Sequence, residues 1–142
     1  VLLIGGTGPT GPAIAAGLHA RGLDITILHS GQHEVPEVAQ HRHLHGDVFS
    51  DDGLRAALGE QTFDIAIASY GRLRSIADVL TGRVGRLLSI GGVPVYRGFF
   101  DPTIHAPPGL PVPTREDAAL ATEADDGKSY RIGRTEQMLF EK

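Results

Sequence analysis

The chain has 142 residues, 41% of them apolar and 21% charged, with a formal net charge of −4 and no cysteine. That length supports one domain with a real core, and the balance of residue types is ordinary for a soluble globular protein. The net negative charge offers no basic field for nucleic acid, no apolar run is long enough to span a bilayer, and the lack of cysteine excludes disulfides, thiol catalysis and cysteine–zinc sites.

Val1-Leu2-Leu3-Ile4 opens the chain as a short apolar run and reads as a buried strand. It is too short for a signal-peptide core and has no charged leader, so the expected setting is the cytoplasm. Gly5-Gly6-Thr7-Gly8-Pro9-Thr10-Gly11 follows directly, and Pro12–Arg21 then reads as a helix, apolar at Ile14, Ala15 and Leu18 and closed by Gly22. A strand, a glycine-rich turn and a helix in that order form the arrangement that holds a nucleotide diphosphate. Glycines let the phosphates reach backbone N–H groups, and the first helical turn presents unpaired donors with a partial positive charge. One such dipole contact is worth only about 0.3–1 kcal/mol when exposed, so several donors must act together. Pro12 suits a helix's first turn but removes one donor, leaving Thr10, Gly11 and Ala13. The glycines fit both G-x-x-G-x-x-G (Gly5, Gly8, Gly11) and G-x-G-x-x-G (Gly6, Gly8, Gly11), and the spacing does not choose.

Asp24–Leu28 reads as the second strand. The residues after such a strand usually read the adenosine ribose, an acid favouring NAD and an Arg favouring NADP. Here the segment is His29-Ser30-Gly31-Gln32-His33, which carries neither signature. His29 or Ser30 can bond a ribose or a 2′-phosphate; the competing reading is a polar turn. A weak third strand is expected at His43–Asp47. Alternation of His41, His43 and His45 would put all three on one strand face, a spacing that can bind a metal. With no second carboxylate–histidine set nearby in the sequence, the expectation is a solvated strand edge and no metal site. Asp47 can accept from an adenine amino group or cap the next helix, for which Ser50 and Asp51 are better placed.

Asp51–Leu58 reads as a helix, Phe63–Ala68 as the fourth strand, Leu73–Leu80 as a helix and Arg86–Ile90 as the fifth strand. Ser69-Tyr70-Gly71, after the fourth strand, faces the glycine turn and is small enough for a cofactor to pass; packing alone also explains Gly71. Ser89, closing the fifth strand, can orient a substrate oxygen or simply bond backbone. The proline-rich stretch over 94–113 reads as a loop covering a site, and a last helix is expected from near Ser129. Alternating strands and helices predict an α/β fold, a doubly wound parallel sheet of the Rossmann type in the order 3-2-1-4-5, with a nucleotide over the carboxyl ends of strands one and four. The chain opens inside a strand and closes inside a helical pattern, so the N-terminal part of a longer protein is expected.

Together, Gly5–Gly11, His45-Gly46-Asp47, Asp64 with Ser69-Tyr70-Gly71, and Leu88–Tyr96 resemble the NAD-dependent epimerase/dehydratase family, a branch of the extended or atypical short-chain dehydrogenase/reductases. The resemblance implies that residues 1–142 form an NAD(P)-binding Rossmann domain whose C-terminal substrate lobe lies outside the sequence. It implies NAD or NADP held by Gly5, Thr7, Gly8, Pro9, Thr10, Gly11, His29, Ser30, Asp47, Ser69, Tyr70 and Gly71. The substrate would be a nucleotide sugar or similar polyol, and chemistry would begin with hydride abstraction; a homodimer is a further expectation. The family's Tyr-x-x-x-Lys pair has a counterpart in Tyr130 and Arg134, with Arg in place of Lys. Ser89, Tyr130 and Arg134 are therefore the catalytic candidates, with Lys128 or Arg131 as alternatives nearest the cofactor. Arg supplies charge but not an ammonium's compact donor. The alternative is a non-catalytic NAD(P)-binding sensor or regulatory module.

Overall fold

The computed structural model describes residues 1–140, with side chains through residue 134. Its chain divides into two compact units, Val1–Ile90 and Gly91–Lys142.

The first unit is a five-stranded sheet flanked by helices on both faces. In chain order it runs β1 (Leu2–Ile4), α1 (Gly11–His19), β2 (Thr26–His29), β3 (Arg42–His45), α2 (Asp51–Leu58), β4 (Phe63–Ala68), α3 (Leu73–Leu80) and β5 (Val84–Ser89). The sheet order is β3-β2-β1-β4-β5 and every pairing is parallel. This is the Rossmann-like α/β fold expected from the alternating elements. β1 explains why a continuous apolar run was the right signal. Successive side chains point to opposite faces, and both faces are covered, so each must be apolar. Leu2 and Ile4 pack with Leu54, Leu58, Ile76, Val79 and Leu80 from α2 and α3. Leu3 packs on the other side with Ala15, Ile27 and Val38. Full burial of one such side chain is worth about 1.5–3 kcal/mol.

Strand limits follow the partners. β2 starts at Thr26 rather than Asp24 because pairing begins where β1 begins, Leu2 opposite Thr26. It continues through His29, past the expected end, because β3 pairs with it as far as His45. Gly46 and Asp47 therefore fall beyond β3. Likewise β5 starts at Val84, opposite Phe63, two residues before its expected start. Ser50 Oγ caps α2 by accepting the Gly53 N–H at 3.0 Å, and Gly22, at φ +73°, closes the turn after α1.

The second unit holds the proline-rich stretch and α4 (Gly127–Phe140). The stretch is not featureless. It contains 3-10 turns at Val93–Val95 and Pro102–Ile104, and Tyr96 bridges antiparallel to Leu120. α4 starts two residues before Ser129 because Asp126 caps it. Asp126 Oδ1 accepts the Ser129 N–H at 3.1 Å, while Oδ2 accepts the Ser129 hydroxyl at 3.0 Å and the Phe100 N–H at 3.2 Å. These donors, the Ser129 N–H foremost, hold the Asp126 carboxyl below the usual carboxylate range.

Candidate functional site

The turn between β1 and α1 gives its glycines different surroundings. Gly5 has φ +88°, and a Cβ there would lie 2.5 Å from Tyr70 Cβ. It is the tight-turn glycine, forbidden to a side chain both by backbone conformation and by the β4 end. Gly11 fits so closely under the turn that a Cβ would lie 2.0 Å from the Gly6 carbonyl oxygen. It is the glycine that lets helix and turn approach. Between them, a Cβ on Gly8 would meet only the Gly5 oxygen, at an ordinary 3.6 Å. Nothing in the fold demands a glycine at Gly8. Gly6, by contrast, is crowded by Leu3 and Ile27 side chains. Packing thus accounts for glycine at Gly5, Gly6 and Gly11, and leaves Gly8 without such a demand.

The helix start beside this turn has no acidic residue in its first turn, and Thr10 makes no side-chain cap. Its donors are thus left for another acceptor. One expected donor is already engaged: the Gly11 N–H donates to the Gly8 carbonyl at 3.0 Å. Thr10 and Ala13 remain of the three. Thr7 is buried, while Pro9 and Thr10 are exposed on the rim.

The carboxyl ends of β1 and β4 meet here. The Ser69 hydroxyl donates to the Ile4 carbonyl at 2.9 Å and fastens the two strand ends together. Gly71, at φ +105°, has the Val48 carbonyl 2.9 Å from where a Cβ would sit, so the backbone itself accounts for this glycine. Tyr70 is exposed and stands edge-on to Phe49, ring centroids 5.2 Å apart. Phe49 was missed in the sequence. The available signal was an aromatic residue in the polar stretch directly after Asp47-Val48, and it stays 49% exposed in the fold. Asp47 is exposed, and its Oδ1 accepts the Phe49 N–H at 2.9 Å. With Ser50 capping α2, Asp47 is not the helix cap.

The β2 end departs from expectation. His29 is not in a polar turn; it is the last residue of β2 and only 4% exposed. Its Nε2 lies 2.9 Å from His43 Nδ1, and its Nδ1 accepts the Gly31 N–H at 3.3 Å. Both ring nitrogens are engaged within the protein. Burial pushes the His29 imidazole below its ordinary pKa; Glu34 opposes this, and the neighbouring histidines His43, His45 and His33 add to it. Ser30 alone of the pair is exposed, with Oγ accepting the Gln32 N–H at 3.4 Å.

The expectation that no second carboxylate–histidine set accompanies the alternating histidines is corrected. His43 and His45 do share a face, and β2 places His29 beside them, since His29 pairs with His45 in register. Glu34, from the connection between β2 and β3, reaches the same point, and the four ligand-capable atoms all lie within 4.8 Å of one another. His41 takes no part. It precedes β3 and stands edge-on to His19.

Ser89 is the final residue of β5 and half-buried. Tyr130 and Arg134 lie on α4, one turn apart as the spacing required, Tyr130 half-buried and Arg134 exposed. Of the alternatives to Arg134, Lys128 sits over the Phe100 ring, 4.0 Å from its centroid. The second unit also contains a cavity of about 580 Å³ lined in part by Gly92, Val95, Tyr96 and Thr114. Among the described residues, no helix is long and apolar enough to cross a membrane.

No protein-family model and no curated protein matches the sequence. Solved structures do match the fold. UDP-glucose 4-epimerase is 12% identical with a TM-score of 0.68, covering 99% of this chain and 47% of its own. WbmG of Bordetella bronchiseptica, solved with NAD and UDP, is 19% identical with a TM-score of 0.61, covering 98% and 48%. The dTDP-glucose 4,6-dehydratase of Bacillus anthracis str. Ames, solved with NAD, is 11% identical with a TM-score of 0.64, covering 99% and 50%. The chain thus spans about half the length of the structures it matches, and at these identities the likeness is one of fold: a Rossmann-like sheet shared with NAD-dependent sugar epimerases and dehydratases.

Proposed function

We propose that this chain binds NAD or NADP, with the pyrophosphate on the Gly5–Gly11 turn and the adenosine toward Ser30, Asp47 and Phe49. We further propose that it serves an epimerase, dehydratase or reductase acting on a nucleotide sugar or similar polyol. The observation that carries the reading is the division of labour among Gly5, Gly8 and Gly11, in which only Gly8 is free of any demand from the fold. The uncapped start of α1 beside it fits an anion, and solved structures of the same fold hold NAD. Residues 1–142 supply the NAD(P)-binding part in this proposal, and substrate recognition belongs to the rest of the whole protein.

Bound NAD(P) supplies a hydride acceptor. Ser89 would orient the substrate hydroxyl, and Tyr130, as the phenolate favoured by the Arg134 charge, would take its proton at Oη and become the neutral phenol. In the whole protein, Tyr130→Phe should lower kcat at least about 100-fold while leaving cofactor affinity nearly unchanged. Steady-state rates and a cofactor titration on the same preparation check this. Turnover retained in a folded variant would remove Tyr130 as the base. Arg at position 134, where the resembling family has Lys, favours a second reading, a non-catalytic NAD(P)-binding module. Cofactor bound with neither product formed nor absorbance changed at the reduced-nicotinamide band, across candidate nucleotide sugars, would decide for that module.

Titrating NAD and NADP by calorimetry tests the binding reading itself, and absence of saturable binding of either would overturn it. Ser30 carries no charge to repel a 2′-phosphate, so NADP should be accepted. Ser30→Asp should move the NAD-over-NADP preference by about tenfold, ~1.4 kcal/mol, because like charges then meet. An unmoved ratio would place the ribose elsewhere.

A further inference from the structure

We propose that His29, Glu34, His43 and His45 form a site for a divalent transition-metal ion, zinc being the ion its donors fit, that staples the β2–β3 connection to the sheet. The site includes none of the residues on which the proposed function rests and does not rest on the NAD(P) reading, although His29 directly precedes Ser30 and follows Leu28, whose carbonyl accepts the Gly5 N–H at 3.0 Å.

The separations among the donor atoms carry the argument. Around a tetrahedral zinc with bonds of about 2.0–2.1 Å, neighbouring donors stand roughly 3.3 Å apart. Here His29 Nε2 and His43 Nδ1 are 2.9 Å apart, His45 Nε2 and Glu34 Oε1 3.2 Å, His29 Nε2 and Glu34 Oε1 3.5 Å, and His43 Nδ1 and Glu34 Oε2 3.6 Å. These four lie within a few tenths of an ångström of the tetrahedral edge, and all the donor atoms lie within 4.8 Å of one another, so side-chain adjustment would let an ion enter. Three imidazoles and one carboxylate suit zinc better than magnesium or calcium, which prefer oxygen.

The support around the donors is also present. His43 Nε2 sits 3.0 Å from the Val38 carbonyl. That contact places the proton on Nε2, fixes the ring, and leaves Nδ1 as a lone pair aimed at the cluster. Metal ligation through His29 Nε2 puts its ring proton on Nδ1 and gives up the acceptance from Gly31 N–H, already long at 3.3 Å. The cluster is graded from inside to outside. His29 and His43 are 4% and 15% exposed, whereas His45 and Glu34 are 56% and 54% exposed. The outer pair gives an ion its entry. Because the protein fills all four positions, the site is of the closed, structural kind. Its ligands come from two adjacent strand ends and the loop between them, so an ion there would restrain residues 30–41.

The test is zinc titration of the untagged full chain after chelator treatment and dialysis. One equivalent should bind and raise Tm, with chelator reversing the rise. Cobalt in place of zinc should give the intense visible absorption of a tetrahedral site. Glu34→Gln and His45→Asn change exposed side chains and should fold; each should weaken zinc binding by more than about 100-fold, the upper range for loss of a mere outer partner. His33→Ala and His41→Ala should leave it unchanged. Absence of stoichiometric zinc binding would overturn the proposal, as would affinity that survives Glu34→Gln and His45→Asn together, or that falls equally with His33→Ala and His41→Ala.

Discussion

Gly11→Ala should unfold or severely destabilise the Val1–Ile90 unit, by on the order of 3 kcal/mol or more. The added carbon would lie 2.0 Å from the Gly6 oxygen, 2.3 Å from its carbonyl carbon and 2.7 Å from its Cα. These are backbone atoms, and the backbone around them is fixed on both sides. Gly5 N–H donates to the Leu28 carbonyl at 3.0 Å, and Gly11 N–H to Gly8 at 3.0 Å. No rotamer change can relieve the contact, so α1 must lift from the turn. Lifting it would open the packing of Ala15 against Leu3, Ile27 and Val38. Gly17→Ala is the control: the same residue change on α1, where a Cβ meets only the Arg21 guanidinium, at 3.6 Å. It should be neutral or stabilising, since Ala is the better helix former by about 1 kcal/mol. Urea unfolding of both variants measures the difference. Gly11→Ala with wild-type stability would show that the turn adapts and that close approach is not what this glycine provides.

What could be read in the sequence was what depends on neighbours along the chain. Apolar runs bounded by glycine and by polar turns marked β1 and β4, and the i, i+4 pair Leu54 and Leu58 marked α2, with its limits met at Asp51–Leu58. The sheet order followed because short alternating elements leave few ways to pair. Strand ends were less legible, since β2 stops where β3 lets it stop, at the His29–His45 pair. The same register explains the histidine cluster. His43 and His45 were visibly on one face, but nothing local says that His29 belongs to the strand rather than to the turn. Glu34 carries no signal at all; only the return of the chain from β2 to β3 brings its carboxylate to the imidazoles. The glycine triplet shows both sides of this. Its presence was plain, whereas what crowds each glycine needed the neighbours across space, Tyr70 beside Gly5, Leu3 and Ile27 beside Gly6. Asp126 is a further case. Its cap on Ser129 follows a sequence pattern, but its hold on the Phe100 N–H, 26 residues away, does not.

Gly8→Val should leave the fold nearly intact and weaken NAD(P) binding at least tenfold, ~1.4 kcal/mol or more. The contrast with Gly11 is the point. A Cβ on Gly8 meets one atom, the Gly5 oxygen at 3.6 Å, an ordinary van der Waals contact. Its φ lies outside the left-handed region occupied by Gly5, so an L side chain is not strained there. The fold therefore gives no reason for glycine at this position, and the proposed ligand would: its pyrophosphate oxygens would have to come within hydrogen-bond distance of backbone N–H groups at the start of α1, and a branched side chain would hold them off. Gly8→Ala adds the Cβ alone and should give a smaller loss in the same direction, a useful second point if the valine branch perturbs the turn. Matched urea curves and calorimetric titrations of wild type, Gly8→Ala and Gly8→Val separate the two effects. Graded loss of affinity at constant stability supports a phosphate cradle. Unchanged affinity in a folded Gly8→Val variant would mean that phosphates do not approach Gly8, and the proposed nucleotide site would fall with it.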